Sequence, residues 1–228
     1  MTLQVFTEIE QGTDEWLAAR CGIVTASVVG QLITPKTVKP AANDTSRALI
    51  ATLVAERITG YVEPIQPNRD MERGTLSEPF ARDIYADNYA PAASVSEVGF
   101  MVRDDWGFRL GYSPDGLVGE DGLIEIKSRR QKKHLATILA DEVPLENLAQ
   151  CQAGLLVSGR EWLDYVSFCS GMPLYTKRIK PDPKWQAAIL EAVAAFEEAS
   201  AAMIADYTTR TANLPPTERL DHFAEMSI

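Results

Sequence analysis

Residues 113–127 read Ser-Pro-Asp-Gly-Leu-Val-Gly-Glu-Asp-Gly-Leu-Ile-Glu-Ile-Lys, with Asp115 ahead of a turn signal and Glu125 and Lys127 two positions apart behind it. Side chains two apart on a strand share a face, so a hairpin here gathers two carboxylates and one amine. A three-residue loop Glu120-Asp121-Gly122 would place Gly122 at the left-handed position of a bulge. That register sets Asp115 opposite Lys127 and Leu117 opposite Glu125. Asp115 then becomes a diagonal neighbour of Glu125, roughly 7–8 Å away. Ligand–metal bonds of about 2 Å on each side let both carboxylates reach one ion. Val118, Ile124 and Ile126 form a β-branched set on the other face, suited to a core, while Leu117 and Leu123 fall on the carboxylate side. A slip of one residue would turn Asp115 away from Glu125.

Phosphodiester hydrolysis needs a hard cation to polarise the phosphoryl oxygen and activate water, and oxygen ligands suit magnesium. Asp115, Glu125 and the carbonyl of Ile126 are candidate ligands. Lys127 would orient the attacking water or neutralise charge on the phosphate. The same residues have a plainer reading, because E-x-K is a common strand surface pair and an aspartate before glycine often sits in a turn.

A chain of 228 residues suits one domain and can bury a real core. We expect a single domain over 1–228: a helical part at 13–60, a core at 70–180, and a C-terminal helix and tail at 184–228. No apolar run approaches membrane-spanning length and the first residues lack a signal pattern, so a cytoplasmic protein without a membrane partner is expected. Cys21, Cys151 and Cys169 are widely spaced without C-x-x-C, which reads as reduced thiols rather than disulfides or zinc ligands. The net charge of −10 argues against coating nucleic acid by bulk attraction. Positive charge is local: Lys127, Arg129, Arg130, Lys132 and Lys133 are five of the 22 cations. A basic patch on an acidic exterior suits admission of nucleic acid at a single channel; a solvated basic loop is the alternative.

The pattern predicts helices over 13–20, from 25 or 27 to 33, 45–59, 74–89, 145–157 and 184–206, with strands at 95–102, 107–118, 123–128, 163–169 and 174–180. Glu78 falls near the first turn of the fourth helix in this reading. The tail 207–228, with Pro215-Pro216, reads as extended. The fold class expected is mixed α/β (α+β), a central mixed sheet flanked by helices.

Further short segments carry a resemblance. They are Trp16 with Arg20-Cys21-Gly22-Ile23-Val24-Thr25-Ala26-Ser27, then Arg73-Gly74 with Glu78, Ser113-Pro114-Asp115-Gly116, Glu125-Ile126-Lys127, and Ala149-Gln150-Cys151-Gln152. In this order and spacing, over about 10–160, the chain resembles the phage lambda exonuclease family of YqaJ-type viral recombinases and alkaline exonucleases. That family lies within the restriction-endonuclease-like PD-(D/E)xK nuclease superfamily.

The resemblance implies a restriction-endonuclease-like core and a phage- or prophage-encoded, magnesium-dependent 5′→3′ exonuclease on double-stranded DNA. Such an enzyme leaves 3′ single-stranded tails for recombination by strand annealing. Manganese would substitute, and one or two ions would bind. Asp115, Glu125 and the Ile126 carbonyl resemble the metal ligands, Lys127 the catalytic lysine, Glu78 a helix-borne acid for a second ion, and Gln150 the glutamine completing the site. Arg20, Ser27 and Ser113 resemble a pocket for a terminal 5′-phosphate, with Ser27 in the first turn of a helix whose free N–H groups attract anions. Lys133 or a neighbour in 129–133 would add a basic contact to that 5′-phosphate, and Met71 stands where the family has an apolar wedge. A ring-shaped homotrimer enclosing DNA ends and a phage-type single-strand annealing protein are the implied partners.

The chain departs from the family after E-x-K, where Ser128-Arg129-Arg130 replaces a common Cys-Pro. Bland readings stand beside these roles: Arg20 as a partner of Asp14 or Glu15, Glu78 as a helix pair with Arg82, Trp16 as core, Met71 as filler, and His134 and His222 as incidental. The competing functions are an endonuclease or structure-specific nuclease on the same core, and a non-catalytic DNA-end-binding module.

Overall fold

The computed structural model describes residues 2–64 and 66–220. Strand β1 (Leu3–Phe6) is followed by helix α1 (Asp14–Arg20), whose N-cap Thr13 accepts the N–H of Trp16. Strand β2 (Val24–Thr25) leads into α2 (Ala26–Val29), a 3-10 turn over Gly30–Leu32, and the short pair β3 (Ile33–Thr34) and β4 (Lys39–Pro40). Helices α3 (Asp44–Thr59) and α4 (Arg69–Tyr89) come next. Strands β5 (Val95–Ser96), β6 (Phe100–Arg103), β7 (Leu110–Tyr112), β8 (Gly116–Val118) and β9 (Gly122–Ser128) form the middle of the chain. Helices α5 (Gln131–Ala140) and α6 (Leu145–Ser158), strands β10 (Trp162–Phe168) and β11 (Tyr175–Ile179), and helix α7 (Pro183–Thr211) complete it.

The larger strands build two sheets, β1-β6-β7-β2 and β11-β10-β9-β8-β5, and both are mixed. The strand expected over 107–118 is therefore two strands, one in each sheet. Pro114 has no N–H for a ladder, and the segment Ser113–Asp115 carries the chain across. The crossing is clamped residue by residue. Trp16 Nε1 donates to Ser113 Oγ (2.8 Å), Gln11 Nε2 to the Pro114 carbonyl (3.0 Å), and Arg82 Nε to the Asp115 carbonyl (2.8 Å).

The β8–β9 register differs from the expected one. Gly116 pairs with Ile124, Leu117 with Leu123 and Val118 with Gly122. The loop is Gly119-Glu120-Asp121, and Gly119 (φ +53°) takes the left-handed position instead of Gly122. Relative to the expected pairing, the shift is two residues, so every side chain keeps its face. Leu117 and Leu123 join the larger core with Tyr112, Cys151 and Leu155; Val118, Ile124 and Ile126 pack on Ala81 and Tyr85 of α4. Gly116 is needed here, since a Cβ would meet the Ile124 side chain at 2.8 Å.

Other boundaries move too. Helix α4 begins at Arg69, with Asn68 accepting from the N–H groups of Asp70 and Met71, so Glu78 lies well inside the helix and not in its first turn. The basic run enters α5 and is not a loop. The second helix is four residues plus a 3-10 turn, and α7 extends to Thr211, well into the expected tail. Residues 221–228, including His222, lie outside the described residues. No helix among the described residues is long and apolar enough to cross a membrane.

Candidate active site

Glu125 is fully buried on β9, the middle strand of its sheet. Its Oε1 accepts from Lys127 Nζ and from Gln150 Nε2, each at 2.6 Å, and Oε2 accepts from the Tyr112 hydroxyl at 3.3 Å. Gln150 comes from α6, and Tyr112 from the strand before the crossing. The Tyr112 ring lies against Gly154, where a Cβ would approach the ring at 2.8 Å. Asp115 Oδ2 accepts the backbone N–H of Ile126 at 2.6 Å, which ties the crossing to β9. Glu78 reaches in from α4 and pairs with Arg82 one turn on, at 2.5 Å. Arg82 also reaches Glu97 at 2.5 Å.

Two cavities meet at Asp115. The larger, about 610 Å3, is lined by Met71, Glu78, Asp115, Ile126, Lys127 and Lys133 among others. The smaller, about 170 Å3, is lined by Arg20, Ser27, Ser113, Asp115 and Gln150 together with Gln11, Trp16, Thr25 and Tyr112. The residues singled out from the sequence therefore line one or other cavity, except Glu125, which sits behind them. Lys133 belongs to the larger cavity, with Nζ 2.5 Å from Glu146, and does not border the Arg20 cavity. Met71 is exposed at the mouth of the larger one.

Within the smaller cavity, Arg20 does not pair with Asp14 or Glu15. It lies 4.1 Å over the Trp16 ring and donates to Thr25 Oγ1 (3.1 Å) and Ser27 Oγ (3.4 Å). Burial lowers the Arg20 pKa, against a raising pull from Glu56. Trp16, assigned to the core from sequence, lines this cavity and holds both Arg20 and Ser113. The four-residue α2 contributes little dipole, so any attraction of this cavity for an anion would rest on Arg20 and the hydroxyls.

The larger cavity is charged differently. Burial raises the Asp115 pKa well above the carboxylate range, and the Glu125 charge adds to this. Burial likewise raises Glu78, against the pull of Arg82. For Lys127, burial favours loss of the proton, but Glu125 and Asp115 outweigh it and the net shift is upward. Tyr112 is pushed well up by burial and by Glu125, and so remains a donor.

Among the described residues, no three of His, Cys, Asp and Glu gather as a metal centre. The donor chemistry nevertheless fits a hard cation. Three carboxylates and a carbonyl are oxygen donors. Burial, with the Glu125 charge adding to it, holds Asp115 and Glu78 above their ordinary values, which a bound cation would reverse. His134 does not contribute: it is buried, with its ring nitrogens 2.8 Å from Ser167 Oγ and 3.0 Å from the Pro173 carbonyl.

Tyr112 and Gln11 were not singled out from the sequence, while Arg82 was named only as a helix partner of Glu78, a pairing the structure contains, and Thr25 only as a helix start and part of a longer segment. Tyr112 directly precedes Ser-Pro-Asp, the one local signal that could have flagged it.

Residues 15–161 match the model of a family described as the YqaJ-like viral recombinase domain. No curated protein sequence matches the chain. Among solved structures, an alkaline exonuclease (LHK-Exo) from Laribacter hongkongensis is 35% identical, covering 89% of this chain and 100% of that one, with a TM-score of 0.78. The same exonuclease in complex with dAMP gives a TM-score of 0.79 at the same identity and coverage. A phage related exonuclease from Haemophilus somnus 129PT, 15% identical over 81% of this chain and 96% of that one, shares the fold with a TM-score of 0.63.

Proposed function

The chain belongs to the family of YqaJ-like viral recombinase domains, and from that premise we propose a metal-dependent 5′→3′ exonuclease on double-stranded DNA. It degrades the 5′-ended strand and leaves 3′ single-stranded tails for recombination by strand annealing, as a single nuclease domain over 1–228. The observation that carries this reading is the meeting of an anion-seating cavity and a carboxylate cavity at Asp115. A strand end whose terminal phosphate is seated at Arg20 presents its first phosphodiester to the carboxylates. The expected product is a nucleoside 5′-monophosphate, the class to which the dAMP bound by the similar exonuclease belongs.

In this mechanism Arg20, Ser27 and Ser113 hold the terminal 5′-phosphate, with charge-assisted contacts from the guanidinium. One or two magnesium ions, with manganese as a substitute, would be held by Asp115, Glu125, the Ile126 carbonyl and Glu78, and would polarise the phosphoryl oxygen and acidify the attacking water. Gln150 and Tyr112 fix the Glu125 carboxylate by hydrogen bonds. Lys127 works as an ammonium, since its upward shift keeps the proton on, and it offsets charge developing on the phosphate. Met71 at the cavity mouth would part the terminal base pair, and Lys133 would touch the incoming backbone.

We further propose a ring-shaped homotrimer in the cytoplasm of a bacterial cell, handing its product to a phage-type annealing protein. Leu76 and Phe80 on α4 and Leu139 on α5 are exposed apolar side chains suited to such contacts.

Digestion of linear duplex labelled at either end, with and without 5′-phosphate and beside a closed circle, tests the function. Nucleotides should be released from 5′ ends only with magnesium or manganese, the circle should survive, and Glu125→Gln should lose about 10³-fold or more in rate. Cutting of the circle would move the assignment to an endonuclease. Binding without consumption would leave an end-binding module.

A further inference from the structure

Strand β9 runs out of the larger cavity through Ser128 to Arg129, where a third cleft of about 470 Å3 opens. It shares Arg73, Ser128, Arg129 and Arg130 with the larger cavity and adds Lys132 and the hydroxyls of Ser77 and Ser170. Four cations line it and no carboxylate does, in a chain whose net charge is −10. Asp70, outside this lining, pairs with Arg73 at 2.6 Å and Arg130 at 3.0 Å. Lys132 makes no ion pair among the described residues.

Arg129 is braced from behind. Its Nη2 donates to Asn147 Oδ1 (2.6 Å) and to the Tyr165 hydroxyl (3.2 Å), while its Nε is buried without an acceptor. An N–H left in that state costs stability until an oxygen meets it. Where Glu78 borders another groove, the charge reverses. A groove of about 770 Å3 there is lined by Glu8, Glu10, Glu78 and Glu97, with Arg82. A polyanion crossing the site is drawn toward one side and repelled by the other.

We infer that the basic cleft seats the backbone phosphates that follow the scissile one in the strand being degraded. Two residues of extended backbone advance ~6.6 Å, the scale of one nucleotide step. Arg129, one residue past β9, still donates its N–H to the Phe168 carbonyl at 2.8 Å, so the spacing from Lys127 to Arg129 suits the spacing from the cut phosphate to the next. The inference rests on the exonuclease reading and adds a direction to it. The end sits at Arg20, the cut at Lys127, and the oncoming backbone at Arg129 and Lys132. A phosphate already held in line becomes the next to be cut when the strand advances, which favours successive cleavage over release.

The test replaces single phosphodiesters by neutral methylphosphonates at the second, third or tenth linkage of a 5′-phosphorylated duplex. Affinity is read with metal chelated, so that binding is separated from cleavage. In the wild type a neutral second or third linkage should weaken binding about 5-fold, and a neutral tenth linkage should not. In Lys132→Ala and Arg129→Gln the same linkages should cost less than about 2-fold, and the salt slope should fall by roughly 0.7–0.9 per lost contact. Lys132 is exposed and carries the test alone should Arg129→Gln fail to fold. Interference as large in the Lys132 variant as in the wild type overturns the cleft assignment, as does a wild type indifferent to all three linkages. A wild type that consumes no linear duplex with metal present sinks the exonuclease reading itself.

Discussion

The Arg20 cavity and the Lys127 cavity meet at one aspartate, yet in the first a guanidinium and neutral hydroxyls satisfy one another and in the second several carboxylates share a poorly solvated space. Trp16 donates to Ser113 and underlies Arg20, which in turn donates to Thr25 and Ser27. That half is already assembled, so little ordering cost would remain for the proposed binding of a phosphate. Across Asp115, burial first and neighbouring carboxylates second, Glu125 among them, raise the affinity of Asp115 and Glu78 for protons, and Lys127 alone among the lysines answers them from the same strand face. A seat for an anion can be completed with neutral hydroxyls and a stacked guanidinium. A seat for a cation stays uncomfortable until positive charge enters it.

The contrast is broken hardest at Lys127. Lys127→Met removes the ammonium between Glu125 and Asp115, and the single-turnover rate should fall by on the order of 10²–10³ with duplex affinity nearly kept. Lys127→Arg should recover part of the loss if charge is what matters. A rate unchanged in the methionine variant would mean that the carboxylate half works without that cation.

On the other side, Arg20→Ala should cost about 10-fold on 5′-phosphorylated ends and little on 5′-hydroxyl ends. Equal slowing of both would show that Arg20 supports the fold and not the phosphate.

The smallest effect is on stability, and its sign is fixed by the protons. Asp115 and Glu78 bind protons more tightly folded than unfolded, so their favourable contribution is complete below the ordinary carboxylate range and is lost as pH rises through their raised values. Metal-free protein should therefore weaken as pH climbs from about 4 upward. Asp115→Asn, which keeps an acceptor for the Ile126 N–H, should melt a few degrees above the wild type at pH 8 and level with it at pH 4, by roughly the shift a small ΔΔG gives. The rise in melting temperature caused by magnesium should grow with pH in the wild type and shrink in that variant. Parallel melting curves at both pH values would remove the repulsion from this account.

Much of the site was legible because strand faces alternate. Asp115, Glu125 and Lys127 stayed together through a two-residue error in register, since parity decides the face and Gly119 merely took the turn role expected of Gly122. The start of α4 was hidden by Gly74 and Pro79, each unfavourable in a helix interior. Asn68 capping and the burial of Ala81 and Tyr85 override them. Helix α5 was masked by its basic first turn. The clamps were out of reach for another reason: Trp16 and Ser113 are 97 positions apart, Gln11 and Pro114 are 103, and Arg82 and Asp115 are 33. A local pattern carries no trace of such pairings.

The crossing from one sheet to the other has a consequence for what leaves the enzyme. Ser113 borders the Arg20 cavity, Asp115 borders both cavities, and Pro114 stiffens the link, so under the proposed function the span from strand end to cleavage point would be set by a single tripeptide bolted down at each residue. Such a span acts as a ruler graduated in one unit. Product size would then be metered by the scaffold, whatever bases happen to pass.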